Sequence, residues 1–348
     1  MNTDWKAFLL EKGALFDGKK LESFRSHESE RSTLSESSVV CDLSNQGLIK
    51  VHGEDAESFL QNQFTNDIRN VTIDTHQSTA WCSPKGRIIA TFRVFKQADC
   101  YYLCLSHDLV EHVMKKLRMY VMMSKVTIED VSKSMIHFGF AGKHVEDTLK
   151  EIIEGEGGFI PTETSQTLSY KTSSILLLHS AIPRFEFFGE LDDAKVLWDG
   201  FANKATQTSS EHWDYLNIRS GLPQISEASS ESWIPQMVNY IAIGGVDFQK
   251  GCYPGQEIVA RLNYLGKTKR RMYRILINTD QLPAINDSIV SENNAAAGKI
   301  LNVVINPDGK AEALAILKIA EAENKLTLAT NNEATITMLD LPYSVDDD

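Results

Sequence analysis

The spacing of apolar residues predicts two kinds of structure along the chain. Before residue 266, short apolar runs typical of strands alternate with segments in which apolar residues recur every three or four positions, as on one face of a helix. Residues 108–121 show the helical pattern, with Leu109, Val113, Leu117 and Val121 at four-residue intervals. After residue 266, short β-rich runs separated by turns fill roughly eighty residues, which suits a small barrel. We therefore predict an α+β fold with a C-terminal β-barrel.

The same two patterns place the other elements. The N-terminal helix is predicted to start with Asp4 as its cap, and further helices are predicted at 55–64, 145–154, 192–204 and 211–220. Strands before the barrel are predicted at 47–52, 101–105, 125–128, 136–140, 174–179 and 185–188, with a hairpin over 78–95 that turns at residues 84–86. Barrel strands are predicted at 272–278, 297–305, 312–320, 325–328 and 334–339.

Composition suggests where the domains divide. Residues 22–38 are rich in Ser and Glu and poor in apolar residues, which is typical of a mobile connector. We predict an N-terminal helix and polar connector over residues 1–38, an α+β region of two interwoven subdomains over 39–265, and the barrel over 266–348.

The overall composition excludes several classes of protein. The most apolar stretches have only the length of a strand, and the first residues lack a basic segment followed by an apolar one, so neither a membrane span nor a secretory signal is expected. The five cysteines are scattered without a CxxC pair, and none of the nine histidines belongs to a ligand-spaced pair. We expect a cytoplasmic protein without a disulfide framework, a metal site or a membrane partner.

A net charge of −12 argues against broad, non-specific binding of nucleic acid. One segment of fourteen residues differs, because it carries six cations and no acidic residue: Arg261, Lys267, Lys269, Arg270, Arg271 and Arg274. This cationic segment suits an anionic ligand tail, RNA phosphates or an acidic partner. The alternative is a solvated strand edge that its charges protect from aggregation.

One eight-residue motif combines a thiol, two glycines, a proline, an amide and a carboxylate: Lys250-Gly251-Cys252-Tyr253-Pro254-Gly255-Gln256-Glu257. The pattern of residues 256–262 predicts a helix, with Pro254 and Glu257 in its first turn. Cys252 would then lie just before a helix N-terminus and beside Lys250, and both surroundings favour the thiolate form. The alternative is a buried cysteine in a tight turn.

The motif, extended through Ile258-Val259-Ala260-Arg261, resembles the signature of the YgfZ family, part of the superfamily of folate-binding aminomethyltransferases that includes the glycine cleavage T-protein. Residues 51–67, 217–223, 234–239 and 341–344 resemble further landmarks in the same order. The resemblance implies a three-lobed, glycine cleavage T-protein-like folate-binding fold. It also implies tetrahydrofolate, or its 5-formyl or 5,10-methylene derivative, as the ligand.

The resemblance also suggests folate contacts. Trp213 matches a tryptophan that contacts folate in YgfZ proteins, and Gln46 stands where a second family tryptophan is expected. A tryptophan buried in the core is the alternative for Trp213. The polar candidates are Asn66, Asp67, Gln236, Asn239, Gln256, Glu257 and Arg261. The first four could equally cap turns or bind backbone groups.

A segment of aminomethyltransferases in this superfamily that resembles residues 85–91 carries two acidic residues. Ala90 and Thr91 stand at these two positions here, and neither side chain supplies a carboxylate. The resemblance therefore implies a folate-binding protein that supports synthesis or repair of iron–sulfur clusters in client enzymes, including those that methylthiolate tRNA. Cys252 would be the working thiolate and Lys250 its electrostatic support. Two alternatives remain: a tetrahydrofolate-dependent one-carbon transferase whose acid is Asp67 or Glu257, and a direct tRNA-binding module that uses the cationic segment.

Overall fold

The computed structural model describes residues 1–18, 20–24, 38–153, 163–279, 281–292 and 296–345. The chain forms two compact units, each built from separate stretches of sequence. The first contains Met1–Ala56, Arg69–Gln77 and Arg93–Trp213, and the second contains Glu57–Ile68, Ser78–Phe92 and Asp214–Asp348. The domain boundaries at residues 38 and 265 stay predictions. Most of the predicted connector, residues 25–37, lies outside the described residues.

The helices of the described ranges are α1 (Thr3–Glu11), α2 (Ala56–Gln61), α3 (Val110–Val121), α4 (Val145–Ile153), α5 (Leu191–Ala202), α6 (Ser210–Arg219) and α7 (Gln256–Leu265). None of these helices has the length and apolar character needed to traverse a bilayer. Short 3₁₀ turns occupy Ile68–Asn70, His107–Leu109, Glu227–Ser229, Pro235–Val238 and Ile319–Glu321.

The strands before the barrel are β1 (Leu15–Asp17), β2 (Lys20–Ser23), β3 (Val39–Asp42), β4 (Gln46–His52), β5 (Gln77–Cys82), β6 (Ile88–Gln97), β7 (Cys100–Ser106), β8 (Thr127–Asp130), β9 (Ile136–Ala141), β10 (Thr167–Tyr170), β11 (Ser173–Leu177), β12 (Arg184–Gly189) and β13 (Thr206–Thr208). The barrel strands are β14 (Arg270–Ile277), β15 (Ser288–Ser291), β16 (Ala296–Ile305), β17 (Ala311–Lys318), β18 (Leu326–Leu328) and β19 (Asn331–Leu339).

The first unit is built on a six-stranded sheet in the order β10-β11-β12-β9-β3-β13. Its pairs are antiparallel except β13 with β3. Helix α1 buries Trp5, Phe8 and Leu9, as their spacing predicts, and the Trp5 ring stacks on Phe138 with 5.9 Å between ring centroids. The predicted cap is wrong: the side chain of Asn2, not of Asp4, accepts hydrogen bonds from the backbone N–H groups of Asp4 and Trp5. An amide oxygen two residues earlier serves the same purpose as a carboxylate.

Strand β6 contains the point in the sequence at which a stretch of the second unit ends and the first unit resumes. Its residues from Arg93 onward pair with β7 in the first unit, where β7 also pairs with β4 and β4 with β8. Its residues up to Phe92 belong to the second unit, next to β5 in the predicted hairpin. The turn of that hairpin closes with hydrogen bonds from Ser83 N to Arg87 O and from Gly86 N to Ser83 O, both of 2.8 Å.

The second unit ends in a closed barrel of six strands in the order β14-β17-β16-β15-β18-β19. Ile275, Ala313, Ala315 and Leu317 are fully buried in its core. Small alanines on β17 leave room for larger side chains from the facing strands, which is how a narrow barrel fills its interior. The predicted α+β class and C-terminal barrel are confirmed. The sequence pattern missed β15, since Ser288 and Ser291 interrupt its apolar run.

Candidate functional site

The motif before α7 is anchored by two buried side chains, Lys250 and Tyr253, which are 5% and 6% exposed. The Lys250 Nζ donates hydrogen bonds to the backbone carbonyls of Gln61, Phe64 and Asn66 at 2.6, 2.5 and 3.2 Å. It also lies 5.3 Å from the centroid of the Tyr253 ring. Lys250 therefore fixes the turn that follows α2, and its predicted role beside the thiol stays a prediction.

Between these anchors, Gly251 and Cys252 are exposed. The alternative of a buried cysteine in a tight turn is therefore wrong. Cys41, Cys82 and Cys104 are buried, and burial raises the pKa of the Cys82 thiol to about 12 and raises that of Cys104 as well. Those two thiols stay protonated and buried, whereas the thiol of the motif is accessible.

Two glycines join the motif to the turn of the β5–β6 hairpin. Gly255 has a φ of +82°, and a Cβ atom there would lie 2.4 Å from the carbonyl oxygen of Ser83 and 2.7 Å from the Cα of Gly86. Gly86 has a φ of +68°, and a Cβ atom there would lie 3.0 Å from the Cβ of Ile258 on α7. Gly255 caps α7, so Pro254 lies before the helix and not in its first turn, whereas Glu257 does lie in that turn.

Asn66 is buried, and backbone groups bind the polar atoms of its side chain. Its Nδ2 donates to the carbonyls of Ser78 and Gly244 at 2.9 and 2.7 Å, and its Oδ1 accepts from the N–H of Asp67 at 2.9 Å. Asp67 is buried beside it, 6% exposed. Asn66 thus ties three chain segments of the second unit together, the local role that its residue type also permits.

Gln236 and Asn239 belong to one turn, and they differ in whether a polar atom of the side chain lacks a hydrogen-bond partner. The Gln236 Nε2 donates to the carbonyl of Val259 at 2.7 Å, which fixes the orientation of its amide. Its Oε1 is buried without a partner among the described residues. Asn239, at a φ of +54°, donates from Nδ2 to the carbonyl of Met272 at 2.9 Å. Gln236 therefore keeps a fixed acceptor, and Asn239 holds the barrel's first strand.

Gln256, Glu257 and Arg261 lie on α7, with the first half-buried and the others exposed. Further along the helix, a groove of about 540 Å³ has apolar walls and a cationic rim. Its rim includes Arg261, Lys267 and Lys269, and Leu265 beside them is 85% exposed.

The tertiary structure divides the cationic segment. Arg274 donates from Nε to Oε1 of the buried Glu312 at 2.7 Å, and Arg271 donates to the carbonyl of Val345 at 3.1 Å. The charge of Arg274 is therefore neutralised by an acidic residue on β17, distant in sequence. Arg261, Lys267 and Lys269 remain exposed.

In the first unit, Trp213 is 1% exposed and lies in a buried polar network. Its Nε1 donates to Glu186 Oε1 at 2.9 Å, and the Arg184 guanidinium lies 4.1 Å from its ring centroid. Gly139 leaves room for this ring, since a Cβ there would lie 2.5 Å from it. This placement favours the packed tryptophan over a folate contact. Gln46, also in this unit, is the half-buried first residue of β4.

Glu186 is the centre of that network. Burial pushes its pKa up, but the charges of Arg93, His137 and Arg184 outweigh burial and hold the pKa of this carboxyl below its usual range. Its Oε2 is paired with Arg93 and lies 3.4 Å from His137 Nε2. Cys104, His137 and Glu186 bring three ligand-type atoms within 4.8 Å, yet a cation there would have to displace Arg93. We assign no metal to this trio.

His76, also in the first unit, gives the protein a specific sensitivity to acid. Burial, helped by the Arg93 charge, lowers the pKa of His76 from 6.5 to about 4, and its Nε2 lies 2.9 Å from the carbonyl of Leu177. Between these values the unfolded chain binds a proton that the folded one does not, so stability falls as pH falls. We expect His76→Gln to recover about 2 to 3 kcal/mol of the stability that the protein loses between pH 7 and 4.5.

The measurement is the free energy of unfolding by urea at both pH values. His107→Gln, at an exposed histidine, is the control and should lose as much stability as the unaltered protein. Equal acid losses in both variants would assign the acid sensitivity to other groups.

Ala90 and Thr91, which stand where the resemblance places acidic residues in aminomethyltransferases, lie inside β6. Ala90 is fully buried, and the Oγ1 of Thr91 accepts a hydrogen bond from the backbone N–H of Ile225 at 3.2 Å. Tyr253 is not among the predicted site residues, because the motif was interpreted through its thiol. The Tyr253 hydroxyl is buried without a partner among the described residues, and burial raises its pKa. Its position next to Cys252 in the motif could have identified it as a candidate site residue.

Comparison with known proteins gives a consistent result. Residues 7–192 match the model of the GCVT N-terminal domain. The chain is 30% identical to the tRNA-modifying protein YgfZ of Yersinia pestis (strain Pestoides F) over 312 residues, covering 88% of this chain and 92% of that protein. It is 28% identical to the tRNA-modifying protein YgfZ of Escherichia coli O157:H7 over 308 residues, covering 88% and 93%. The glycine cleavage system aminomethyltransferase T of Bartonella henselae shares the fold, with a TM-score of 0.77 at 12% identity over 98% of this chain and 97% of that one.

Proposed function

This chain belongs to the YgfZ family, and from that premise we propose that it is a folate-binding protein that acts in tRNA modification. Two observations support the proposal. The chain matches relatives named tRNA-modifying protein YgfZ over almost their whole length, and it shares its fold with an aminomethyltransferase. The ligand is tetrahydrofolate or one of its 5-formyl and 5,10-methylene derivatives. The protein acts in the cytoplasm.

The chemical role that we assign centres on Cys252. Its exposure between the buried Lys250 and Tyr253 is the observation that carries this role, because a rigidly anchored, accessible thiol can meet a second protein. We infer that Cys252 supports synthesis or repair of iron–sulfur clusters in client enzymes of the tRNA methylthiotransferase type. One thiolate holds no four-ligand cluster by itself, so the remaining ligands come from the client or from small thiols.

We infer the folate contacts from the polar side-chain atoms that protein groups do not already bind. The side-chain amides of Asn66 and Asn239 and the indole N–H of Trp213 are bound to protein groups. Gln236 differs, because its Oε1 is a buried acceptor that a pterin N–H group can satisfy. Gln256, Glu257 and Arg261 on the adjoining α7 offer an amide, a carboxylate and a guanidinium, and Arg261 suits the anionic glutamate tail.

We expect Gln236→Met to weaken binding of 5-formyltetrahydrofolate about tenfold, since one matched hydrogen bond to a buried acceptor contributes about 1 to 2 kcal/mol. The measurement is quenching of tryptophan fluorescence by the ligand. Gln166→Met, at a half-buried glutamine of the first unit, is the matched control and should bind like the unaltered protein. Equal affinity in the two variants would remove Gln236 from the folate site, and absence of saturable quenching in the unaltered protein would refute folate binding.

The two alternatives receive less support. Ala90 and Thr91 carry no carboxylate, so aminomethyl transfer would depend on Asp67, which is buried beside Asn66, or on Glu257, which is exposed on α7. Direct tRNA binding has three exposed cations, Arg261, Lys267 and Lys269, in a chain of net charge −12, with Arg274 neutralised by Glu312. A tRNA-binding surface usually needs a wider cationic area.

A further inference from the structure

The second unit also contains a cavity whose lining differs from the motif in its charge. It has a volume of about 510 Å³, and three of its lining residues are cationic: Arg87, Arg270 and Lys299. Glu231 is the one acidic residue among those that line it. The walls therefore carry a cationic excess in a chain whose net charge is −12. Such an excess around a cavity attracts anions.

The cations of this cavity retain donors for a ligand. Arg87 uses one terminal nitrogen on the carbonyl of Ser232 at 2.5 Å, and a guanidinium has five N–H donors. Within the described part of the chain, the side chains of Arg270 and Lys299 make no hydrogen bond or ion pair. Arg270 begins β14 and Lys299 lies on β16, so strands of the barrel hold both backbones in place.

Trp233 supplies an independent observation. It lines the cavity and is 7% exposed, yet its indole Nε1 is buried without a hydrogen-bond partner among the described residues. Its backbone is fixed, because its carbonyl accepts from Ile88 N at 2.8 Å. A buried donor without a partner costs about 1 to 3 kcal/mol, so such a group in a folded protein usually has a ligand or water as its partner.

We propose that this cavity binds the phosphate group of a small organic anion of about mononucleotide size. The phosphate oxygens accept hydrogen bonds from Arg87, Arg270 and Lys299, and the Trp233 N–H donates to the same ligand. The remainder of the ligand lies against Met237 and the indole ring. The volume exceeds what inorganic phosphate requires and falls in the range of small-molecule sites. The acidic surface of the chain favours a small anion over a long nucleic acid. These observations do not depend on folate binding.

The test is NMR of protein labelled with ¹⁵N in its five tryptophan indoles. The signal that disappears in Trp233→Phe identifies the Trp233 N–H. Inorganic phosphate and AMP are then added at constant ionic strength, with chloride as the anion without phosphate and adenosine as the uncharged nucleoside for reference. We expect both phosphate compounds to shift the Trp233 signal saturably, AMP at lower concentration, while adenosine and chloride leave it in place.

The double variant Arg270→Gln, Lys299→Gln should weaken both interactions at least tenfold, whereas Lys325→Gln, at an exposed lysine elsewhere on the barrel, should not. Thermal unfolding checks that each variant is folded. An unmoved Trp233 signal with both phosphate compounds, or an equal shift in the double variant, would overturn the proposal. Tighter binding of an RNA oligonucleotide than of AMP would assign the cavity to RNA instead and would equally overturn it.

Discussion

Replacing Cys252 with alanine is expected to abolish the activity of this protein in cells while leaving its stability unchanged. The Cys252 side chain is exposed, so its removal opens no cavity and should change the free energy of unfolding by less than about 0.5 kcal/mol. If its thiol serves iron–sulfur clients, no other motif residue replaces it. The measurement is the amount of methylthiolated nucleoside in tRNA from cells that lack their own YgfZ protein and express the variant.

Cys100→Ala is the matched control, because Cys100 is a half-buried cysteine outside the motif. It should restore tRNA methylthiolation as the unaltered protein does. Normal methylthiolation with Cys252→Ala would remove the thiol from the mechanism. Normal folate binding by Cys252→Ala, without methylthiolation, would separate the role of the thiol from that of the ligand.

Replacing Lys250 with methionine is expected to lower the free energy of unfolding by about 3 kcal/mol. The ammonium group bonds to the carbonyls of Gln61, Phe64 and Asn66, and methionine fills a similar volume without any donor. Hydrogen bonds to a charged group contribute about 1.5 to 3 kcal/mol, and buried carbonyls without a partner add a further cost. The measurement is urea unfolding at pH 7.

Lys267→Met is the control, since Lys267 is an exposed lysine on the rim of the α7 groove. Its change should stay within about 0.5 kcal/mol. A loss below about 1 kcal/mol in Lys250→Met would show that the three carbonyls find other partners, and Lys250 would then be available to act on the thiol alone.

Much of the fold could be predicted from local pattern. The four-residue apolar spacing identified α3, and the turn residues 84–86 identified the β5–β6 hairpin, because each depends on neighbours within a few positions. The short runs after residue 266 identified the barrel. Strands that lack a clear apolar run, such as β13 and β15, escaped prediction, since pairing with distant strands stabilises them more than their own residues do.

The candidate site was predicted less completely. The motif located Cys252 before a helix, because glycines and a proline constrain the backbone locally wherever they occur. The partners of its neighbours could not be predicted. Trp213 illustrates the difficulty: its helix position suited a ligand contact and a core residue equally, and only the tertiary structure shows the hydrogen bond to the buried Glu186 that favours packing.

The sequence by itself determined the family, the α+β class, the barrel and the place of the thiol in the chain, since these depend on local order and on matching motifs. Tertiary structure alone decided which charges remain available. Lys250 bonds to carbonyls 184 to 189 positions away, and Arg274 pairs with Glu312 on another strand. The physical reason is that electrostatic interactions and hydrogen bonds depend on distance in space, which the order of residues along a chain does not specify.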